Sequence, residues 1–170
     1  MNTEFMKRAI SIILLIFLMI APEVFGQEFT FRGHRWGASV EDIIAIEGTP
    51  SSNNHGRLIY NNIFIAGYNA ILVFNCFPTL IDGEYNIYVS NINKMAVYND
   101  LLVRLKILYG NPASVPSDAP AGIIGQIEFV TCWIISRTVI RIEMINWGSE
   151  TQIRISYISP QSGLNDFWEF

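Results

Sequence analysis

Basic residues are scarce in this chain, and their distribution excludes one class of partner. Beyond the first ten residues the only lysines are Lys94 and Lys106, and lysines and arginines together form no cluster outside the N-terminus. A nucleic-acid-binding surface needs concentrated positive charge to contact phosphates. We therefore expect no nucleic acid among the partners of this protein.

Histidine and cysteine are equally scarce, with two of each. His34, His55, Cys76 and Cys132 are so far apart along the chain that they form no His-x-x-x-His or Cys-x-x-Cys pair for zinc. The acidic residues form no calcium-binding loop, and the sequence contains neither a Gly-x-Ser-x-Gly elbow nor a glycine-rich phosphate loop. The sequence therefore predicts no catalytic residue, no metal ligand and no cofactor, which is typical of a protein that is not an enzyme.

The N-terminal segment has the three parts of a secretory signal peptide. Lys7 and Arg8 supply positive charge, residues 9–20 are apolar apart from Ser11, and a short stretch that contains Glu23 then ends at Gly26, a small residue suited to cleavage. The apolar run is shorter than the roughly 20 residues needed to cross a bilayer. We predict that residues 1–26 are a signal peptide, and a retained N-terminal anchor is the alternative.

Cleavage after Gly26 would leave residues 27–170, a length suited to a single domain. We expect this mature chain to be periplasmic or extracellular, with no membrane span. Its net charge stays at −4, because the signal segment contains two basic and two acidic residues. Since exported proteins meet an oxidising environment, Cys76 and Cys132 are a candidate disulfide, with two separate buried thiols as the alternative.

The first predicted helix is defined by signals at its two ends. Ser39 is suited to the N-cap position, and Asp42 is its acidic partner in a capping box. Gly48 and Pro50 then end the helix. Upstream, Trp36 is expected to pack beneath the start of this helix.

The second predicted helix covers about residues 92–109 and is longer. Asp100 and Arg104 form an i,i+4 ion pair on its polar side, and Gly110 and Pro112 end it as Gly48 and Pro50 end the first. Apolar residues recur at three- and four-residue spacings and predict one apolar face. This face comprises Met95, Tyr98, Leu101, Leu102, Leu105, Leu108 and Tyr109.

Each predicted helix is followed by a tract in which apolar and polar residues alternate, which indicates strands. The first tract predicts strands at about 57–65, through Leu72 to Cys76, and at about 84–89, and the second predicts strands through Ile127 to Trp133, Thr138 to Met144 and Ile153 to Tyr157. Short sequential hairpins favour an antiparallel sheet.

The order of these elements predicts an α+β fold built as a tandem αβββ repeat. We expect a single domain with one antiparallel sheet and both helices packed on one face. The first half would cover about residues 36–90 and the second about 91–159, followed by an aromatic C-terminal tail at 160–170.

Several stretches resemble small exported bacterial proteins of unknown function. The likeness lies in RWGASVEDIIAIEGTP (35–50), with its Trp-Gly, short helix and Gly-x-Pro opening, and in YNDLLVRLKILYGNP (98–112) and RTVIRIEMINWGSETQIRISYIS (137–159). The order of elements is similar to the tandem helix-plus-sheet architecture of β-lactamase inhibitor protein, and each half is similar to the small lipoprotein of the outer-membrane barrel-assembly machinery. The resemblance implies an architecture and assigns no activity or site residue.

The solvent-facing side of the predicted sheet differs between the halves. In the second half it would show a mixed-charge surface of Glu128, Arg141, Glu143, Gln152, Arg154 and Ser156. In the first half it is apolar and interspersed with asparagines, and we predict a candidate interaction face formed by Ile59, Ile63, Ile71, Val73 and Tyr88. The alternative is that an N-terminal Phe-Thr-Phe segment or the aromatic tail covers this face.

These observations favour a non-enzymatic exported module that binds an unknown protein or envelope component through the first half of its sheet. The alternative is a carrier that holds a lipid or another apolar ligand between the helices and the sheet, as an apolar content of 51% would allow.

Overall fold

A computed structural model describes residues 30–113, 125–160 and 162. The predicted signal peptide and residues 163–170 of the aromatic tail lie outside this range. The elements in chain order are β1 (Thr30–Phe31), β2 (His34–Arg35), α1 (Val40–Glu47), β3 (Ser52–Asn54), β4 (Arg57–Ile65), β5 (Tyr68–Cys76), β6 (Leu80–Ser90), α2 (Lys94–Tyr109), β7 (Gln126–Ile135), β8 (Thr138–Asn146) and β9 (Glu150–Ile158).

Seven of the strands form one antiparallel sheet in the order β3-β4-β5-β6-β9-β8-β7. The pairing of β6 with β9 runs from Asp82↔Ile158 to Ser90↔Glu150 and joins the strands of the first half to those of the second. Strands β1 and β2 form a separate two-stranded sheet. Within each half, consecutive strands of the large sheet are linked by short turns, so their order in the sheet follows the chain.

The predicted α+β fold class, a tandem αβββ repeat with helices packed on one face of the sheet, is wrong. Strands make up 53% of the described chain, which contains only two helices and is mostly β. The sequence pattern missed β3, and it began β6 four residues too late, since this strand starts at Leu80. The helices also bury little, because α1 buries only Ile43 and α2 buries four side chains.

The helix ends agree with their sequence signals. The Ser39 hydroxyl accepts a hydrogen bond from the backbone N–H of Asp42, and the Asp42 carboxylate accepts one from the Ser39 backbone, which completes the capping box. Gly48 and Gly110 follow α1 and α2 with φ angles of 86° and 78°, a region that favours glycine. The predicted Asp100–Arg104 pair is present, with 2.9 Å between Nε and Oδ2.

The core lies on one side of the large sheet, which we call the inner face. It includes Leu58, Phe74, Tyr85, Ile142 and Ile155 from five different strands. Helix α2 adds Val97, Tyr98, Leu101 and Leu105, whereas Met95 and Leu108 of its predicted apolar face are exposed. Phe31 of β1 packs edge-on against Phe74 and Tyr85. The β1–β2 hairpin and the four buried side chains of α2 thus contribute to the core on the inner face.

Candidate functional site

Four of the five residues predicted for the interaction face lie on the opposite side of the sheet, which we call the outer face. Ile59 pairs with Val73, next to the inner-face pair Leu58↔Phe74, and Ile71 and Tyr88 have the same orientation on β5 and β6. Ile59 and Ile71 are partly buried, and Val73 is only 1% exposed. Tyr88 is 50% exposed, so it is the residue of this set most accessible to a partner.

Ile63 does not lie on the outer face, which corrects the sequence prediction. Strand β4 contains a bulge, in which Asn61 and Asn62 together stand between the pairs Tyr60↔Leu72 and Ile63↔Ala70. An extra residue shifts the alternation of side chains by one position. Ile63 therefore packs against the core, and Phe64, the next residue, is 74% exposed.

A cavity of about 290 Å³ opens beside this bulge, and we call it the Tyr88 cavity. The pairing of β5 with β6 ends at Ile71↔Asn86, and Asn69 and Tyr88 lie just beyond that last pair. The space is therefore bounded by the bulge on one side and by β6 on the other. Its lining residues are Asn61, Asn62, Asn69, Ala70, Ile71 and Tyr88.

The polar groups of the Tyr88 cavity are available to a ligand. The backbone N–H of Asn61 donates to the Ser51 hydroxyl, but within the described residues the side-chain amides of Asn61, Asn62 and Asn69 make no hydrogen bond. The Tyr88 hydroxyl is likewise unpaired in this part of the chain. The sequence prediction of the site missed Asn62 and Asn69, although two adjacent asparagines within a strand pattern are a signal for a bulge, since asparagine tolerates positive φ.

The mixed-charge surface predicted for the second half is largely buried. Glu143 is 1% exposed, and its carboxylate lies 2.7 Å from Arg154 Nη2 and 3.2 Å from Arg141 Nε. Gln152 donates a hydrogen bond from its side-chain amide to Asn86 on β6. We call Glu143, Arg141 and Arg154 the Glu143 network. Its charges are paired with one another, as buried charges must be.

The outer face carries no helix or strand within residues 30–113 and 125–160. Phe31, part of the N-terminal segment proposed to cover this face, instead inserts into the inner-face core, where its ring lies 5.0 Å from that of Tyr157. Residues 163–170 of the aromatic tail, the other segment proposed to cover the face, lie outside the described residues.

Asp82 is a carboxylate on the outer face with an altered proton affinity. Burial raises its pKa from 3.8 to about 6, the nearby Glu84 adds to the shift, and a hydrogen bond from Asn75 opposes it. The folded protein therefore holds this proton more tightly than the unfolded chain does. For a carboxyl group with a raised pKa, stability falls as the pH rises between the two pKa values.

We expect the free energy of unfolding to fall by up to about 3 kcal/mol between about pH 4 and pH 6 because of Asp82. Asp82→Asn keeps an oxygen to accept the Asn75 hydrogen bond and should remove most of this dependence. Urea denaturation at a series of pH values measures it, with Glu150→Gln as an exposed control. An unchanged pH profile in Asp82→Asn would show that Asp82 does not titrate in this range.

A second polar cluster joins the β1–β2 hairpin to α1. Arg32 donates to both oxygens of Glu47 at 2.8 and 2.9 Å, and His34 Nε2 lies 3.2 Å from Glu47 Oε1. Burial opposes the ionised form of Glu47, but the hydrogen bonds from Arg32 and His34 outweigh it and lower the pKa of Glu47. This carboxylate is thus ionised and already occupied by its two partners.

The cluster borders a cavity of about 440 Å³ that is lined in part by His34, Trp36, Asp42 and Ile46. Nucleophilic catalysis needs a nucleophile within hydrogen-bonding distance of a base. In the described chain the buried His34 ring hydrogen-bonds to Glu47 alone. The arrangement fits an anchor for the hairpin. His55 is exposed in the turn between β3 and β4.

The structure does not bring the candidate disulfide pair together. Cys76 lies on β5 and Cys132 on β7, both buried and not joined to each other. Three strands separate β5 from β7, which places them about 19 Å apart, whereas bridged Cα atoms lie within about 7 Å. Burial also raises the pKa of the Cys76 thiol to about 11, so it is not a reactive thiolate at neutral pH.

Residues 30–113 and 125–160 contain no group of three His, Cys, Asp or Glu side chains placed to hold a metal ion. Neither helix of the described chain has the length and apolar character to cross a bilayer.

Comparisons with protein-family models, with curated proteins and with solved structures gave no match to this chain.

Proposed function

We propose that this protein is a non-enzymatic binding module of the cell envelope, and that its ligand or partner docks at the Tyr88 cavity. The observation that carries the proposal is the cavity itself, about 290 Å³ in volume, which combines the half-exposed Tyr88 ring with amides that have no partner within the described chain. Binding pockets typically combine apolar lining with a few convergent polar groups. Export to the envelope is a prediction from the signal-like N-terminus.

The two polar clusters elsewhere support a binding role over a catalytic one. Glu47 is occupied by Arg32 and His34, and Glu143 by Arg141 and Arg154. Ion pairs of this kind stabilise the fold, and both carboxylates are already engaged by their basic partners. The polar side chains of the Tyr88 cavity form no such pairs within the described residues.

A retention experiment tests the proposal. The purified protein is immobilised and exposed to a detergent-solubilised envelope fraction of the producing cells, and retained proteins and glycans are identified by mass spectrometry. We expect Tyr88→Ala to reduce retention of a specific component at least tenfold, because it removes the largest apolar group of the cavity. Ile107→Ala, on the exposed side of α2, is the control and should retain the component fully.

Equal retention by the wild type and a folded Tyr88→Ala variant would rule out the Tyr88 cavity as the docking site. Folding of each variant is checked by its thermal transition, since a side chain that is half exposed should contribute little to the core.

A further inference from the structure

The Tyr88 ring gives the cavity an apolar wall with a polar tip. Half of its surface is exposed, and Ile71 lines the cavity beside it. An aromatic ring of this kind suits a ligand that presents an apolar face and carries hydroxyl groups around it. The C–H face of a pyranose ring is such a surface, and its hydroxyl groups project from the edge of the ring.

The three asparagines supply hydrogen bonds of both kinds. Each amide has an oxygen that accepts and an NH₂ group that donates twice, and each sugar hydroxyl can donate and accept. A hydroxyl can therefore replace the water on either end of Asn61, Asn62 or Asn69 without leaving a polar group unpaired. Uncharged amides also require little desolvation energy compared with ionised groups.

The charge and size of the cavity narrow the choice of ligand. None of its lining residues is ionisable near neutral pH, so an anionic ligand would find no cation and a cationic ligand no carboxylate. Its volume of about 290 Å³ is at the lower end for ligand pockets. One ring-sized group fits this space better than an extended acyl chain or a folded peptide.

We infer that the Tyr88 cavity binds a neutral sugar residue of a glycan, with the ring of Tyr88 stacked on the sugar and the three amides paired with its hydroxyl groups. This inference rests on the proposed function and names its ligand class. The β4 bulge is what makes the arrangement possible. It places two adjacent amides, those of Asn61 and Asn62, opposite a single position of β5.

The bulge also offers a substitution that removes one amide without disturbing the backbone. Asn62 has a φ of 57°, a conformation that glycine adopts without strain. Asn62→Gly therefore removes one amide and preserves the backbone. Asn99→Ala, which removes an exposed asparagine from α2, is the matched control.

The test is a calorimetric titration of the purified protein with chitotetraose and cellotetraose as neutral probes and a sulphated tetrasaccharide as the charged probe. We expect saturable binding of at least one neutral probe. Tyr88→Ala should weaken it at least tenfold and Asn62→Gly about fivefold, the factor that corresponds to one hydrogen bond. Asn99→Ala should bind like the wild type.

Three results would overturn the inference: no saturable binding of either neutral probe, tighter binding of the sulphated probe, or binding that Tyr88→Ala leaves unchanged. If neither sugar binds while retention of an envelope component still depends on Tyr88, the sugar inference fails and the proposed function stands. If retention is also independent of Tyr88, both fail.

Discussion

Trp133→Ala is expected to lower the free energy of unfolding by about 3–5 kcal/mol. Trp133 is 1% exposed on β7, and its indole N–H donates to the carbonyl oxygen of Gly110 at 2.9 Å. Its ring also lies 6.5 Å from that of Tyr109. One side chain thus fills the core and fixes the C-terminal end of α2 to the sheet, so its removal leaves a large void and releases the helix end.

Urea denaturation of two further variants separates these contributions. Trp133→Phe keeps most of the ring and loses the hydrogen bond, and we expect a loss of about 1 kcal/mol. Trp147→Ala removes a half-exposed indole at the β8–β9 turn and should cost less than Trp133→Ala. A loss of under about 1 kcal/mol in Trp133→Ala would contradict the packing described for α2.

Glu143→Leu should have the second largest effect, a loss of about 3 kcal/mol. Removal of one partner of a buried ion pair leaves the other charge uncompensated, which typically costs about 3–5 kcal/mol. Arg141 and Arg154 each keep 27% of their side-chain surface exposed, so water screens part of this cost. The value should therefore lie at the lower end of the range.

A double-mutant cycle with Arg154→Leu tests the coupling. Since the double variant removes both charges of the closest pair, its loss should be smaller than the sum of the two single losses by at least about 1 kcal/mol. The difference should persist in concentrated salt, because buried pairs are poorly screened. Additive losses would show that Glu143 and Arg154 do not stabilise each other.

Features decided within a few residues of the chain were predictable from the sequence. The Ser39–Asp42 capping box, the two glycine helix ends and the bounds of β4 are correct, because each depends on local geometry and short-range alternation. The Asp100–Arg104 pair belongs to the same group, since four residues of helix place the two side chains together.

Features that depend on distant strands were not predictable in this way. The face of Ile63 was predicted wrongly because one bulge reverses every side chain that follows it in the strand. Cys76 and Cys132 both lie on strands of the large sheet, but they are too far apart for a disulfide. The strand order that separates them is set by the pairing of β6 with β9. Helix α2 buries Val97 in place of Met95, since its rotation is fixed by the sheet beneath it.

The candidate site also combines features that depend on nearby residues with features that depend on distant strands. Ile71 and Tyr88 were predicted from alternation alone, whereas the cavity arises from the end of one strand pairing next to an irregularity in another. The adjacent pair Asn61 and Asn62 can be read from the sequence. Their position in the cavity cannot, because it depends on the bulge that places both residues opposite one position of β5.

The pairing of β6 with β9 also determines how the molecule can be divided. A fragment that ended after Ser90 would expose the full hydrogen-bonding edge of β6, and the complementary fragment would expose that of β9. Such long unprotected borders invite pairing between chains. The two segments on either side of α2 are therefore not autonomous modules. A binding site in the segment before α2 depends on the folding of the segment after it, because the two share one sheet.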